Sequence, residues 1–257
     1  MAPAQRAFKH TFQGDPMTTD NPFSPGADPT SPSEDLEPVP MDVQPILERC
    51  WQLVLANPGV VLGAIFVPLV PALVIGGLSG VLQVMADTSD DQNMMAFATV
   101  ARLGLNIVSS LIGVFFSLGT TRVFLNLSHG RPADVGMVIG EGANYLKGLG
   151  ATILLGLIVF VGLICLIIPG IIAGLGLQFT LYAMLDKDLD PMEALSESWR
   201  LTDGYKFTIW LINLVIGLLA IVVTCMTLGV GYLVVLPVLS LTQAVMYHSL
   251  KRLQQGV

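Results

Sequence analysis

Three cysteines, three histidines and one pair of carboxylates are the residues of this chain whose types could do chemistry. Cys50, Cys165 and Cys225 could act as nucleophiles or metal ligands, and His10, His129 and His248 as general bases or ligands. Either use requires the groups to cluster, and all six lie far apart in the sequence, two of the cysteines within apolar runs. The expectation is buried, reduced, structural thiols, with no metal-binding, cofactor-binding or catalytic residue assigned. Glu193 and Glu197 share a helical face by their spacing and could form an acid–base pair, but they are expected to point to water. The apolar spans carry no Asp, Glu or Lys that could activate a nucleophile, so the chain is expected not to be an enzyme.

The elements that must position these residues are membrane helices. Hydrophobic residues make up 53% of the chain and charged residues 12%, about half the share of a soluble domain. Mean hydropathy is +0.71. Between Lys147 and Asp186 there is no charged residue, and Pro169-Gly170 sits in the middle. As one helix this stretch would reach roughly 57 Å, nearly twice a hydrocarbon core of about 30 Å. The pattern predicts two segments joined by a tight turn at Pro169-Gly170, the second of them, Ile171 to Leu185, short enough to be tilted or re-entrant.

Pro58 to Met85 reads as the first span, with Pro68 and Pro71 freeing carbonyls that need other partners. Such a break can mark a transported solute's site; the favoured reading is a plain kink. Met95 to Leu125 is the second span. Its Ser109, Gly113, Ser117 and Thr121 recur at intervals of four, which favours close helix packing. The alternative is a hydrophilic path with Arg102 at its mouth. Phe207 to Leu250 holds two further spans with a turn near Leu228-Gly229-Val230-Gly231.

Two amphipathic helices flank these spans. One runs from Asp42 to Asn57, with Val43, Ile46, Leu47, Trp51, Leu53 and Val54 on its apolar side. The other opens with Asp190-Pro191-Met192-Glu193 as N-cap, first-turn proline and capping box. Its Met192, Leu195 and Trp199 are expected to rest on the membrane surface. Residues 1–40 are rich in Pro, Ser, Asp and Thr and predict a disordered tail without a secretory signal, within which Met17 could be the start. Residues 41–257 form the membrane domain. The net charge of −7 is largely that tail's: residues 1–57 hold three basic and eight acidic residues. No basic run suggests nucleic acid. Basic residues gather after spans two, four and six, which places both termini in the cytoplasm.

Ile167-Ile168-Pro169-Gly170-Ile171, then Asp186, Pro191-x-Glu193-Ala194-Leu195-x-x-Ser198 and Leu201-Thr202-x-Gly204 carry a resemblance. Together with Gly119 to Gly130 and the His129-Gly130-Arg131 turn, they resemble a superfamily of bacterial six-helix membrane proteins. That superfamily is related to the membrane domain preceding the catalytic barrel of some glycerophosphodiester phosphodiesterases. The resemblance implies an architecture rather than a chemistry. Its members often carry a basic residue in the fourth span, where this chain has Gly176 and Gln178, so no site is carried over.

The fold expected is all-α, a polytopic bundle of about six transmembrane helices plus short amphipathic interfacial helices. The expected function is a non-catalytic scaffold, accessory subunit or assembly factor of a bacterial inner membrane, with membrane lipids and an envelope protein as partners. The alternative is a transporter or permease component for a lipid or small hydrophobic solute.

Overall fold

The computed structural model of the chain describes residues 40–89, 91–228 and 231–255. The tail expected over residues 1–40 and the start at Met17 therefore lie, Pro40 apart, outside the described residues. Every element among the described residues is helical. An amphipathic α1, Val43–Ala56, leads into α2, Pro58–Thr88, and a 37-residue α3, Gln92–Ser128. A short α4, Met137–Gly140, and a 3-10 turn, Glu141–Asn144, precede α5, Tyr145–Cys165. Then come α6, Ile167–Leu177, α7, Thr180–Lys187, α8, Pro191–Thr202, α9, Lys206–Met226, and α10, Tyr232–Gln255.

Among the described residues five stretches are long and apolar enough to cross a membrane: α2, α3, Met137–Cys165, Ile167–Lys187 and α9. The 24-residue α10 is long enough to be the sixth but mixes Pro237, Thr242, Gln243 and His248 into its apolar sequence. The chain thus has the make-up of a multi-pass membrane protein. Both interior prolines of α2 stay within one continuous helix. Pro68 has no N–H to offer the carbonyl of Ala64, and Thr120 Oγ1 of α3 donates to that oxygen instead, at 3.3 Å. The freed carbonyl finds its partner on the neighbouring helix.

The hairpin between α5 and α6 departs from expectation in its turn. The chain breaks at Leu166, which is extended (φ −166°, ψ 143°), and Pro169 and Gly170 lie inside the first turn of α6. Proline is tolerated there because the first N–H groups of a helix lack intrahelical partners. Gly170 has no positive φ. Its role is close approach: a Cβ at Gly170 would lie 2.7 Å from the Leu163 side chain. The fourth stretch is broken at Gln178-Phe179, between α6 and α7, a break the apolar pattern hides.

The second amphipathic helix, α8, divides its expected face, with Leu195 turned inward and Met192 and Trp199 left outward. Met192 is 68% and Trp199 42% exposed, while Ala194, Leu195, Ser198, Leu201 and Thr202 are buried. The mixed side of α8 packs against the bundle, and the Trp199 ring lies over Gly176 of α6, where a Cβ would meet it at 2.5 Å. Asp190 is the N-cap residue but makes no capping bond; it pairs with Lys147 at 3.6 Å. In α1 the buried residues are Ile46, Cys50 and Leu53, and Trp51 is half exposed. Of the three cysteines only Cys50 is buried, and the apolar runs around Cys165 and Cys225 leave both exposed.

Candidate functional site

The break between α6 and α7 is held by α8. Ser198 Oγ accepts from the Phe179 N–H at 3.2 Å and donates to the Gly176 carbonyl at 2.9 Å. Thr202 Oγ1 is 3.3 Å from the same carbonyl. Within the apolar part of the fold an unpaired backbone group is costly, so these two hydroxyls let the helix stop and restart. Ser198, Thr202 and Gly170 are among the residues that carry the resemblance noted in the sequence, and each is employed in packing or in backbone bonds.

The first residue of the break is Gln178. It accepts from Asn213 Nδ2 of α9 at 3.2 Å, and Asn213 Oδ1 accepts from Gln243 Nε2 of α10 at 2.8 Å. A chain of three amides therefore ties three helices together. Gln178 and Gln243 also line a cavity of about 740 Å³ between α2, α3, the α6–α7 break and α10. Ser109, Gly113, Ser117 and Thr121 of α3 line it as well, with Pro68 opposite. The interval-of-four stripe is thus a cavity wall, and the packing expected of it does not occur at its glycine: a Cβ on Gly113 would meet nothing within 4 Å. The close contact of α3 lies six residues later, where a Cβ on Gly119 would run into the backbone of Val138.

One end of the bundle is ionic and sealed. Asp186, 3% exposed, takes hydrogen bonds at Oδ2 from Lys251 Nζ at 2.6 Å and Tyr247 Oη at 2.9 Å. Its Oδ1 faces His129 Nε2 at 4.0 Å. Nδ1 of His129 lies 2.8 Å from the Leu125 carbonyl, which can only accept, so Nδ1 carries the proton of the neutral ring. Nε2 then presents a lone pair to a carboxylate oxygen with no proton between them. Burial, outweighing the pull of the Leu125 carbonyl and Asp186, holds the His129 pKa below its ordinary value. The His248 ring lies edge-on to it, with centroids 4.4 Å apart.

The histidines that are scattered in sequence, His129 and His248, therefore meet in space, beside a carboxylate. His10 lies outside the described residues. No group of three or more His, Cys, Asp or Glu among the described residues could hold a metal ion. Arg122, on the same end of α3, bonds the Leu185 carbonyl at 2.8 Å and pairs with Glu141 at 3.1 Å. Glu197 does not point freely to water: its side chain is 13% exposed, 2.6 Å from Lys187 and 2.7 Å from Arg200. Those cations, Arg200 first, keep its carboxyl below the usual range. Glu193 belongs to none of these pairs. The signal that could have found the amide chain is the presence of Gln178, Asn213 and Gln243 as bare polar residues inside apolar runs.

Residues 50–255 match the family described as a domain of unknown function, DUF7847. The chain belongs to that family. No curated protein and no solved structure matches it. The match covers the DUF7847 chain from the middle of α1 to the end of α10, including every helix that builds the cavity and the ionic end.

Proposed function

We propose that the chain is a transporter or permease component that receives a lipid-sized amphipathic solute in the cavity between α2, α3, α7 and α10. The observation that carries this reading is the cavity's wall at the α6–α7 break, where an interrupted helix brings Gln178 to a space of about 740 Å³. Ligand sites fall at about 300–1,000 Å³, and interrupted membrane helices commonly line solute sites. The scaffold expected from sequence needs no such space. Among the described residues the cavity wall carries no ionisable side chain but the Tyr182 phenol, whose hydroxyl donates to the Ser240 carbonyl at 3.3 Å, which supports a non-enzymatic role.

The test is purification of the full chain in a mild detergent, followed by mass spectrometry of bound lipids and proteins, for wild type and Gly113→Trp. A side chain at this position starts in open space on the cavity wall, and the indole would occupy part of the cavity. Wild type is expected to retain a small molecule that the variant releases at unchanged thermal stability. A stoichiometric protein partner with no such molecule would favour the scaffold.

The reading includes a bacterial inner membrane with both termini in the cytoplasm. It rests on the basic side chains of Arg122, Lys147, Lys187 and Lys251, all engaged at the ionic end. Cysteines at Ser89 and Leu228 should react with an impermeant thiol reagent on intact spheroplasts, whereas one at Asp188 should not; labelling at 188 would invert the topology. Kinship with the membrane domain of glycerophosphodiester phosphodiesterases belongs to this proposal too, supported by the Pro169-Gly170 and α8 residues quoted above.

A further inference from the structure

We infer that the solute is uncharged and carries both a hydrogen-bond donor and an acceptor on its head, as a lipid hydroxyl does; the inference rests on the cavity reading above. Among the described residues no Asp, Glu, Lys, Arg or His lines the cavity. A charged head moved into such a space would lose its hydration without gaining a counter-charge, at a cost far larger than any hydrogen bond returns.

The wall is nevertheless rich in unused hydrogen-bonding groups. Serine and threonine inside helices commonly bond the carbonyl four residues back, as Ser110 and Thr152 do. The hydroxyls of Ser109, Ser117, Thr121 and Ser240 line the cavity and make no such bond among the described residues. The amide chain adds a second demand. Three amides joined by two hydrogen bonds leave one amino group and one carbonyl oxygen without any bond at the ends, whichever way the chain is oriented. Here they are Gln178 Nε2 and Gln243 Oε1, both withheld from solvent and without a partner. The terminal torsion of glutamine is soft, so a head group entering the cavity can turn these amides toward itself. An anion satisfies only donors and an ammonium only acceptors. A hydroxyl satisfies both.

The experiment uses purified full-length chain in detergent at pH 8, with three probes of one chain length: monooleoylglycerol, methyl oleate and oleate. Monooleoylglycerol offers donors and acceptors, methyl oleate acceptors only, and oleate a charge. Binding is read by native mass spectrometry and by the ligand-dependent rise in Tm. Monooleoylglycerol should bind at least about tenfold more tightly than either other probe, the worth of roughly one well-made hydrogen bond to a buried group. Gly113→Trp should abolish that binding, and the double variant Gln178→Leu with Gln243→Leu should bring monooleoylglycerol and methyl oleate toward parity. Preference for oleate, or equal binding of methyl oleate, overturns the uncharged-hydroxyl assignment while leaving the cavity reading in place. Binding of no probe, or binding unaffected by Gly113→Trp, overturns the cavity reading itself.

Discussion

In α2 and α3 only 11% of the most apolar window is buried within the protein, and in Ile167–Lys187 it is 50%. The contrast recurs inside α3 alone. Leu103, Ile107 and Leu111 are exposed, whereas Leu118, Phe124, Leu125 and Leu127 are fully enclosed. The first region is apolar because a bilayer must surround it, the second because protein does. Only the second can shelter Asp186 and His129, since a buried charge needs partners that lipid does not supply. The bundle therefore has a half that exposes its apolar surface and encloses the cavity, and a half built around the buried Asp186.

The sharpest way to break this comparison is at Asp186. Asp186→Ala leaves Lys251 and Tyr247 facing an emptied site and should cost about 3 kcal/mol or more, read from thermal or chemical unfolding in detergent. A near-neutral result would mean that the ionic end is hydrated rather than sealed.

Next come two glycines of one helix. Gly119→Ala drives a methyl group into the Val138 backbone and should cost about 1–3 kcal/mol. Gly113→Leu, six residues away on the cavity wall, should stay within about 0.5 kcal/mol of wild type. Equal losses at both positions would erase the distinction between the two halves.

A smaller effect is expected from pH. His129 has a folded pKa depressed by burial, so the unfolded chain binds its proton more readily. Its contribution to stability is complete above the unfolded value of about 6.5 and is lost as pH falls through that value toward the folded one. Tm should drop between pH 7.5 and 5.5, and His129→Gln should flatten the curve. The smallest effect belongs to Lys147, whose pairs with Asp188 and Asp190 are exposed. Lys147→Gln should leave Tm unchanged within error.

Much of this was legible in the chain itself. The charge-free stretches locate the spans, because hydrocarbon thickness sets their length, and the freed carbonyl at Pro68 follows from proline's missing N–H. The ionic cluster was not legible: His129, Asp186 and Lys251 are brought together by three helices, and no local pattern encodes that meeting. Nor could the interval-of-four stripe tell Gly113 from Gly119. Both are small residues on α3, and only the presence of Val138 beside one of them makes it a contact. The break at Gln178 stayed hidden because apolar residues flank it on both sides and its unpaired backbone groups are met by α8, 20 residues later in the chain.

One mechanical consequence follows from α3 being a single unbroken rod. It is clamped against Val138 at Gly119, with no clearance there. From that fulcrum one arm runs about 26 Å to Arg102 and the other about 14 Å to Ser128, a ratio of roughly two to one. By that ratio a rigid tilt that displaced Arg102 by about 2 Å would displace Ser128 by about 1 Å in the opposite sense. His129 follows Ser128 in the chain and stands 4.0 Å from Asp186, so the geometry of the rod ties the two ends together.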